Sequence, residues 1–309
     1  MGEHAGEEAG EEAAPDRVGE AELATALERD VQALAGRIGE RNLFRPGTLE
    51  KAAAHIEAGL RSAGLAPRRQ TFQARGGECH NVEAELRGAG PPGEIVILGA
   101  HYDSVVGSPG ANDNGSGVAA LLALARSLTR SPATHRTVRL VFFVNEEPPF
   151  FTTREMGSRV HARRSAARGE DIRAMISLET IGYFDDRPGS QRYPLGLLKW
   201  FYPDRGDFIG FVANLRSRKL LRAALAAFRD EAPIPSRGAA LPGFVPGVGW
   251  SDHWSFWQEG YPAIMVTDTA PFRYPYYHSH RDTPDRLDYR RMAQVVRGLE
   301  GVVASLAGP

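Results

Sequence analysis

The chain has 309 residues, of which 42% are hydrophobic and 24% charged, a globular balance that excludes disorder for the bulk of it. Thirty-seven basic side chains against 38 acidic ones leave a formal charge of -1, so no bulk field draws nucleic acid or an acidic membrane. Cys79 is the only cysteine, which excludes an intrachain disulfide and a cysteine-built metal cluster. The first residues, MGEHAGEEAGEEAAPD, carry six acids and no Lys or Arg. A secretory leader starts basic and then turns apolar, and this segment does neither. It reads as a solvated acidic tail over residues 1–18, ahead of a single catalytic domain over 19–309. A cytoplasmic location is the expectation, although removal of a native leader would look the same. No stretch approaches the ~20 apolar residues of a membrane span.

From Ala21 the pattern turns periodic, with Leu23, Leu27, Val31 and Leu34 at helical spacing. A second helix is predicted from Leu49 to Ala63, stopping near Gly64. RRQTFQA and HNVEAELRG alternate like strands. EIVILGAHYD is a short apolar run ending in polar residues, the pattern of a buried strand whose carboxyl end carries chemistry. Ser116–Leu128 is an Ala/Leu-rich helix. TVRLVFFVNEE, AMISLETIGYF and YPAIMVTDTA repeat the strand-then-polar pattern. Further helices are predicted over Glu155–Arg168, Ser217–Phe228 and Pro284–Leu306. Tyr193–Asp207 and Ala232–Gly249, rich in Pro, Gly and aromatics, read as long functional loops. The alternation predicts a three-layer α/β fold, a mixed and mostly parallel sheet with helices on both faces. Ligands of such sheets gather beyond the carboxyl ends of the strands.

The polar residues at those ends are His101 and Asp103 in GAHYDS, Asp113 in GANDNGSG, Glu146 and Glu147 in VNEEPP, and Glu179 in SLETIG. His278 in YYHSHRDTPD joins them. Taken singly, each has an ordinary structural reading: a satisfied histidine, a solvated acidic turn, an Asp-Asn-Gly bend. Together, at ends that converge in space, histidine and carboxylate without cysteine suit Zn²⁺ or another divalent first-row ion. Adjacent carboxylates allow one to bind metal while the other stays free as a general base.

GAHYDS, GANDNGSGVAALLALAR, FFVNEEPPFFTTREMGS, SLETIGYF, WSDHWSFW and YHSHRDTPD, in this order, resemble the zinc-dependent M28 aminopeptidase family. The resemblance runs from the GERN segment at Gly39 to the C-terminus. It implies a zinc exopeptidase-like, phosphorylase/hydrolase-like fold, two Zn²⁺ ions per chain and a peptide substrate, with no nucleic-acid or membrane partner. Asp113 would bridge the ions, His101 and Glu179 would complete one site, and Glu147 and His278 the other. Glu146 would be the general base, and Asp103 would hydrogen-bond the far nitrogen of His101. His278 rather than His280 matches the family's histidine before a downstream Asp-Thr. Tyr276 and Tyr277 are candidate donors to the oxyanion, with aromatic packing as their other reading. Arg273 could grip a substrate carboxylate or pair with a local acid. Asp252 and His253 could shape the pocket or pin their loop, among Trp250, Trp254 and Trp257.

The resemblance has one departure. Glu179 stands where the aminopeptidases usually carry Asp, which leaves the type of exopeptidase open. A carboxypeptidase or dipeptidase of the same fold is one alternative. A one-zinc glutaminyl cyclase-like acyl transferase is another, because those enzymes resemble this family too. A non-catalytic binding protein on the same scaffold is the third, and the full set of competent ligands argues against it. Oligomeric state is not readable from the sequence.

Overall fold

A computed structural model describes residues 19–75, 77–90, 93–131 and 133–308. The expected acidic tail lies outside the described residues. Eight strands form one sheet in the order β1-β2-β4-β3-β5-β8-β6-β7. They are β1 (Arg68–Ala74), β2 (Gly77–Leu86), β3 (Glu94–His101), β4 (Thr137–Phe143), β5 (Asp171–Glu179), β6 (Ile209–Ala213), β7 (Ser236–Ala240) and β8 (Ala263–Thr267). Four pairings are parallel (β3–β4, β3–β5, β5–β8, β6–β7) and three antiparallel (β1–β2, β2–β4, β6–β8).

The helices are α1 (Glu20–Val31), α2 (Thr48–Ser62), α3 (Gly117–Leu128), α4 (Gly157–Ala167), α5 (Arg218–Glu231), α6 (His253–Trp257), α7 (Ala270–Arg273) and α8 (Tyr289–Ala307). The central strands bury both faces. In β3, Val96, Leu98 and Ala100 meet the core shared with α1, α2, α3, α5 and α8, while Ile95 and Ile97 meet Ala162 of α4 and Phe256 of α6. That period-two division is why β3 reads as an unbroken apolar run. Among the described residues no helix is long and apolar enough to cross a membrane.

Two expectations need correction, and one element went unread. Ala232–Gly249 is not wholly loop, because Ser236–Ala240 is the edge strand β7. SRGAA has no apolar alternation, and its strand form comes from parallel pairing with β6. β6 itself, IGFVA, also went unread. The helix expected over Pro284–Leu306 is interrupted: Pro284–Arg286 is a single tight turn, and α8 begins only at Tyr289, capped by the Asp288 carboxylate that accepts from the Arg291 amide.

Candidate metal centre

The sheet delivers the candidate side chains to one edge. His101 closes β3, Glu179 closes β5, and Glu146 and Glu147 follow β4 by a few residues. Asp113 sits in the irregular turn Ala111–Ser116 ahead of α3, and its peptide bond to Asn114 is cis. His278 lies in the loop after α7. Asn145, Thr180 and His278 have positive φ values of 59°, 47° and 54°. Non-glycine residues rarely adopt that region, and here each is, or adjoins, a candidate site residue.

The structure brings five of these side chains together in two triads. His101, Asp113 and Glu179 form one, and Asp113, Glu147 and His278 the other, with the ligand atoms of each within 4.8 Å of one another. The Asp113 carboxylate belongs to both. Its Oδ1 lies 3.3 Å from His101 Nε2, and its Oδ2 lies 3.1 Å from His278 Nε2. Glu179 approaches His101 Nε2 at 3.3 Å, and Glu147 approaches His278 Nε2 at 3.3 Å. Glu146 is in neither triad, and its Oε2 stands 3.8 Å from His101 Nε2.

These donors fit divalent cations. His101 Nδ1 lies 3.2 Å from the Asp103 carbonyl, an obligate acceptor, so Nδ1 carries the hydrogen. Nε2 faces three carboxylates and, among the described residues, is buried without a hydrogen-bond partner. Against the effect of burial, those acids raise the imidazole well above its ordinary value, so the site calls for positive charge at Nε2. Burial pushes Glu146, Glu147, Glu179 and Asp252 above the ordinary carboxylate range, and repulsion among the acids adds to it. Oxygen and imidazole donors arranged around a deficit of positive charge suit zinc or a similar ion.

Asp103 acts on more than the imidazole. Its carboxylate lies 3.6 Å from His101 Nδ1 but accepts hydrogen bonds from the amides of Glu146 (3.2 Å) and Glu147 (3.1 Å). It therefore ties the β3 end to the β4 end. Tyr277 lies at the site: its ring stacks on His278 at 3.8 Å, and it lines a cleft that begins at Glu179. Tyr276 does not. It packs edge-on to Tyr274, beneath the guanidiniums of Arg281 and Arg286.

Arg273 is turned inward, stacked on Phe208 and donating to Gln191 Oε1 and the Phe208 carbonyl. His253 is buried, with Nε2 donating to the Val248 carbonyl, and burial lowers it to about 4, so it is neutral. It pins the loop that bears Val248 and Trp250. Asp252 is fully buried, and among the described residues neither carboxylate oxygen has a hydrogen-bond partner. His280 is exposed.

Several residues that support the site went unread. Ser251 donates to Glu179 at 2.7 Å. Asp282 accepts from the amides of Asn112 and Asp113 and from the Tyr274 hydroxyl. Arg41 is fully buried and donates to the carbonyls of Gly39, Tyr102, Pro109 and Gly110, pinning the segment between His101 and Asp113. All three stand inside the WSDHWSFW, YHSHRDTPD and GERN motifs, but nothing in their spacing separates support from decoration.

The cleft is walled by Tyr193, Tyr202, Phe208, Trp250 and Phe272, and it encloses about 830 Å³ including its open mouth. Trp250 stacks on Phe272, so of the three neighbouring tryptophans this one belongs to the cleft.

Over 282 residues the chain is 42% identical to the YfbL protein of Escherichia coli (strain K12), covering 88% of this chain and 85% of that one. Over 246 residues it is 26% identical to a probable leucine aminopeptidase 1 of Trichophyton verrucosum (strain HKI 0517), covering 74% of this chain but only 58% of the relative. The chain thus spans little more than half the length of that aminopeptidase. In backbone it is similar to BSAP, a zinc aminopeptidase from Bacillus subtilis, with a TM-score of 0.73 at 15% identity over 92% of this chain and 95% of that one. The sequence profile of peptidase family M28 matches residues 81–303, a span that holds both triads and the cleft, and the chain belongs to that family.

Proposed function

We propose that this metallopeptidase is a dinuclear zinc aminopeptidase that removes N-terminal residues from peptides. The observation that carries the reading is the position of Asp113 between two imidazoles, with one carboxylate oxygen toward each. His101, Asp113 and Glu179 would hold one ion, and Asp113, Glu147 and His278 the other. When bound, the two ions would polarise the scissile carbonyl and lower the pKa of the attacking water.

The remaining chemistry belongs to side chains. Glu146, free of both triads, would take the proton of the attacking water and pass it to the leaving amine. Asp103 would hold Glu146 and Glu147 in register with His101 through their amides. Tyr277 would donate its hydroxyl to the oxygen on which negative charge develops. The aromatic cleft beside Glu179 would take the side chain of the first residue.

Metal content per chain, paired with a panel of free-amine and N-blocked peptides, tests this reading. About two ions, with cleavage only where the amine is free, is the expected outcome. One ion with pyroglutamate formation would transfer the chain to the acyl transferases. Cleavage of blocked peptides from the C-terminal end would make it a carboxypeptidase. In Glu146→Gln, hydrolysis should fall by about a hundredfold or more while both ions stay bound; undiminished turnover would remove Glu146 from the mechanism.

A further inference from the structure

The cleft is built along a single row of the sheet. Glu179 on β5 pairs with Thr267 on β8, Thr267 with Gly210 on β6, and Gly210 with Arg237 on β7. All four line the cleft. Directly paired residues project to the same face of a sheet. Three strand spacings of about 4.8 Å place the Arg237 backbone roughly 14 Å from that of Glu179. Gly210 contributes no side chain between them. The row therefore has a carboxylate at one end, a low floor, and a guanidinium at the other.

Several polar groups on the walls far from the triads are already committed. The Tyr193 hydroxyl donates to the Pro203 carbonyl, and that of Tyr202 donates to the Gly238 carbonyl. The Gln191 amide is shared among Arg273 Nε, Thr269 Oγ1 and the Arg192 carbonyl. Arg237 differs. It is partly buried, its Nη1 donates to the Ser236 carbonyl, and among the described residues it forms no ion pair with a carboxylate.

We infer that Arg237 sets the charge preference of the cleft, admitting a large aromatic first side chain, tyrosine foremost, and excluding lysine and arginine. This rests on the aminopeptidase reading, which places the first side chain in the cleft. A guanidinium attracts a π face and donates to a phenol oxygen. The same guanidinium repels an ammonium group that the aromatic walls would also strip of water. Exclusion of the wrong side chain by like charge supplies specificity that apolar contact alone does not.

The test is kcat/KM of the metal-loaded enzyme on Tyr, Phe, Met and Lys coumarylamides, for the native chain, Arg237→Met and Arg237→Lys. The native enzyme should use the Lys substrate about tenfold less well than the Met substrate, and Arg237→Met should raise the Lys-to-Met ratio by about tenfold. The same variant should lower the Tyr-to-Met ratio, whereas Arg237→Lys, which keeps the charge, should preserve both. Arg237→Gln provides a second neutral variant should Arg237→Met not fold. A Lys-to-Met ratio unchanged in the neutral variants, with turnover retained, overturns the role of Arg237 alone. Failure to cleave any free-amine substrate overturns the aminopeptidase reading, and this inference with it.

Discussion

Asp282 receives three hydrogen bonds at once: from the Asn112 amide at 2.8 Å, the Asp113 amide at 3.1 Å and the Tyr274 hydroxyl at 2.9 Å. It lies four residues beyond His278, so it binds the backbone of one proposed ligand to the loop that carries another. In Asp282→Asn only one oxygen remains to accept, and a buried donor loses its partner. Stability should fall by about 1–3 kcal/mol, read from denaturant unfolding. The variant should also retain less metal after dialysis. Full stability and full metal content together would show that the carboxylate is dispensable. His101, Glu147 and Glu179 were legible in the sequence as a His and two Glu at or just past strand ends, whereas Asp113 and His278, in a turn and a loop, were legible through the motifs that hold them. Their supporting partners were not. Asp282, Ser251 and Arg41 reach the site through contacts 61 to 170 residues away, beside local ones to Tyr274 and Gly39, and no local pattern encodes such a distance. Arg273 misleads in the opposite way: its position after an apolar strand suits a substrate grip, yet it is buried, with Nε donating to Gln191 and Nη1 to the Phe208 carbonyl.

At the scale of elements, α1, α2 and α3 meet on one buried carboxylate. Asp30 of α1 accepts from Arg126 of α3 at 2.8 Å and lies 3.4 Å from His55 Nε2 of α2. Burial alone would raise Asp30, but His55 and Arg126 outweigh it and hold the group below its ordinary value of 3.8. A group depressed in the folded state stabilises the fold above its unfolded pKa. That contribution is lost as pH falls through the folded pKa. The stability of the native chain should therefore fall below about pH 4, in part through Asp30. Asp30→Asn should cost about 1.5–3 kcal/mol at neutral pH and flatten the acid limb. Equal acid limbs in the two proteins would remove Asp30 from that transition. The helices themselves were well marked, since Leu23, Leu27, Val31 and Leu34 are all buried as their spacing implies. β6 and β7 were not. Five residues are too few to show a clear period, and in the edge strand β7 pairing rather than propensity creates the strand.

For the whole molecule, the acids gathered at the carboxyl ends of the strands predict that bound cations stabilise the fold. Without ions, Glu146, Glu147, Glu179 and Asp252 would lie buried against one another with too little positive charge between them. Chelation should lower the thermal midpoint, and zinc should restore it. Each ion present at a hundredfold excess over its dissociation constant contributes about 2.7 kcal/mol to stability. Calorimetry with and without chelator measures this, and coincident transitions would argue against metal in the folded state. The overall architecture was legible from the alternation of apolar runs and helices, because a sheet buried on both faces leaves that signature in each central strand. The cleft was not, because its walls come from β5, β6, β7, β8 and the loops between them, which meet only after the chain has folded.

The reversal of a single strand divides the labour of this sheet. β3, β4, β5 and β8 run in one direction, and their carboxyl ends carry the acids and His101. β6 runs against β8, and β7 follows β6, so their amino ends reach the same edge and supply Gly210 and Arg237. Had β6 kept the common direction, those residues would face the opposite rim. The parallel half is constrained by chemistry that tolerates little change. The reversed strands join the parallel half of the sheet through β8. Substitutions in those two short strands would reshape the cleft wall without replacing any side chain of the two triads.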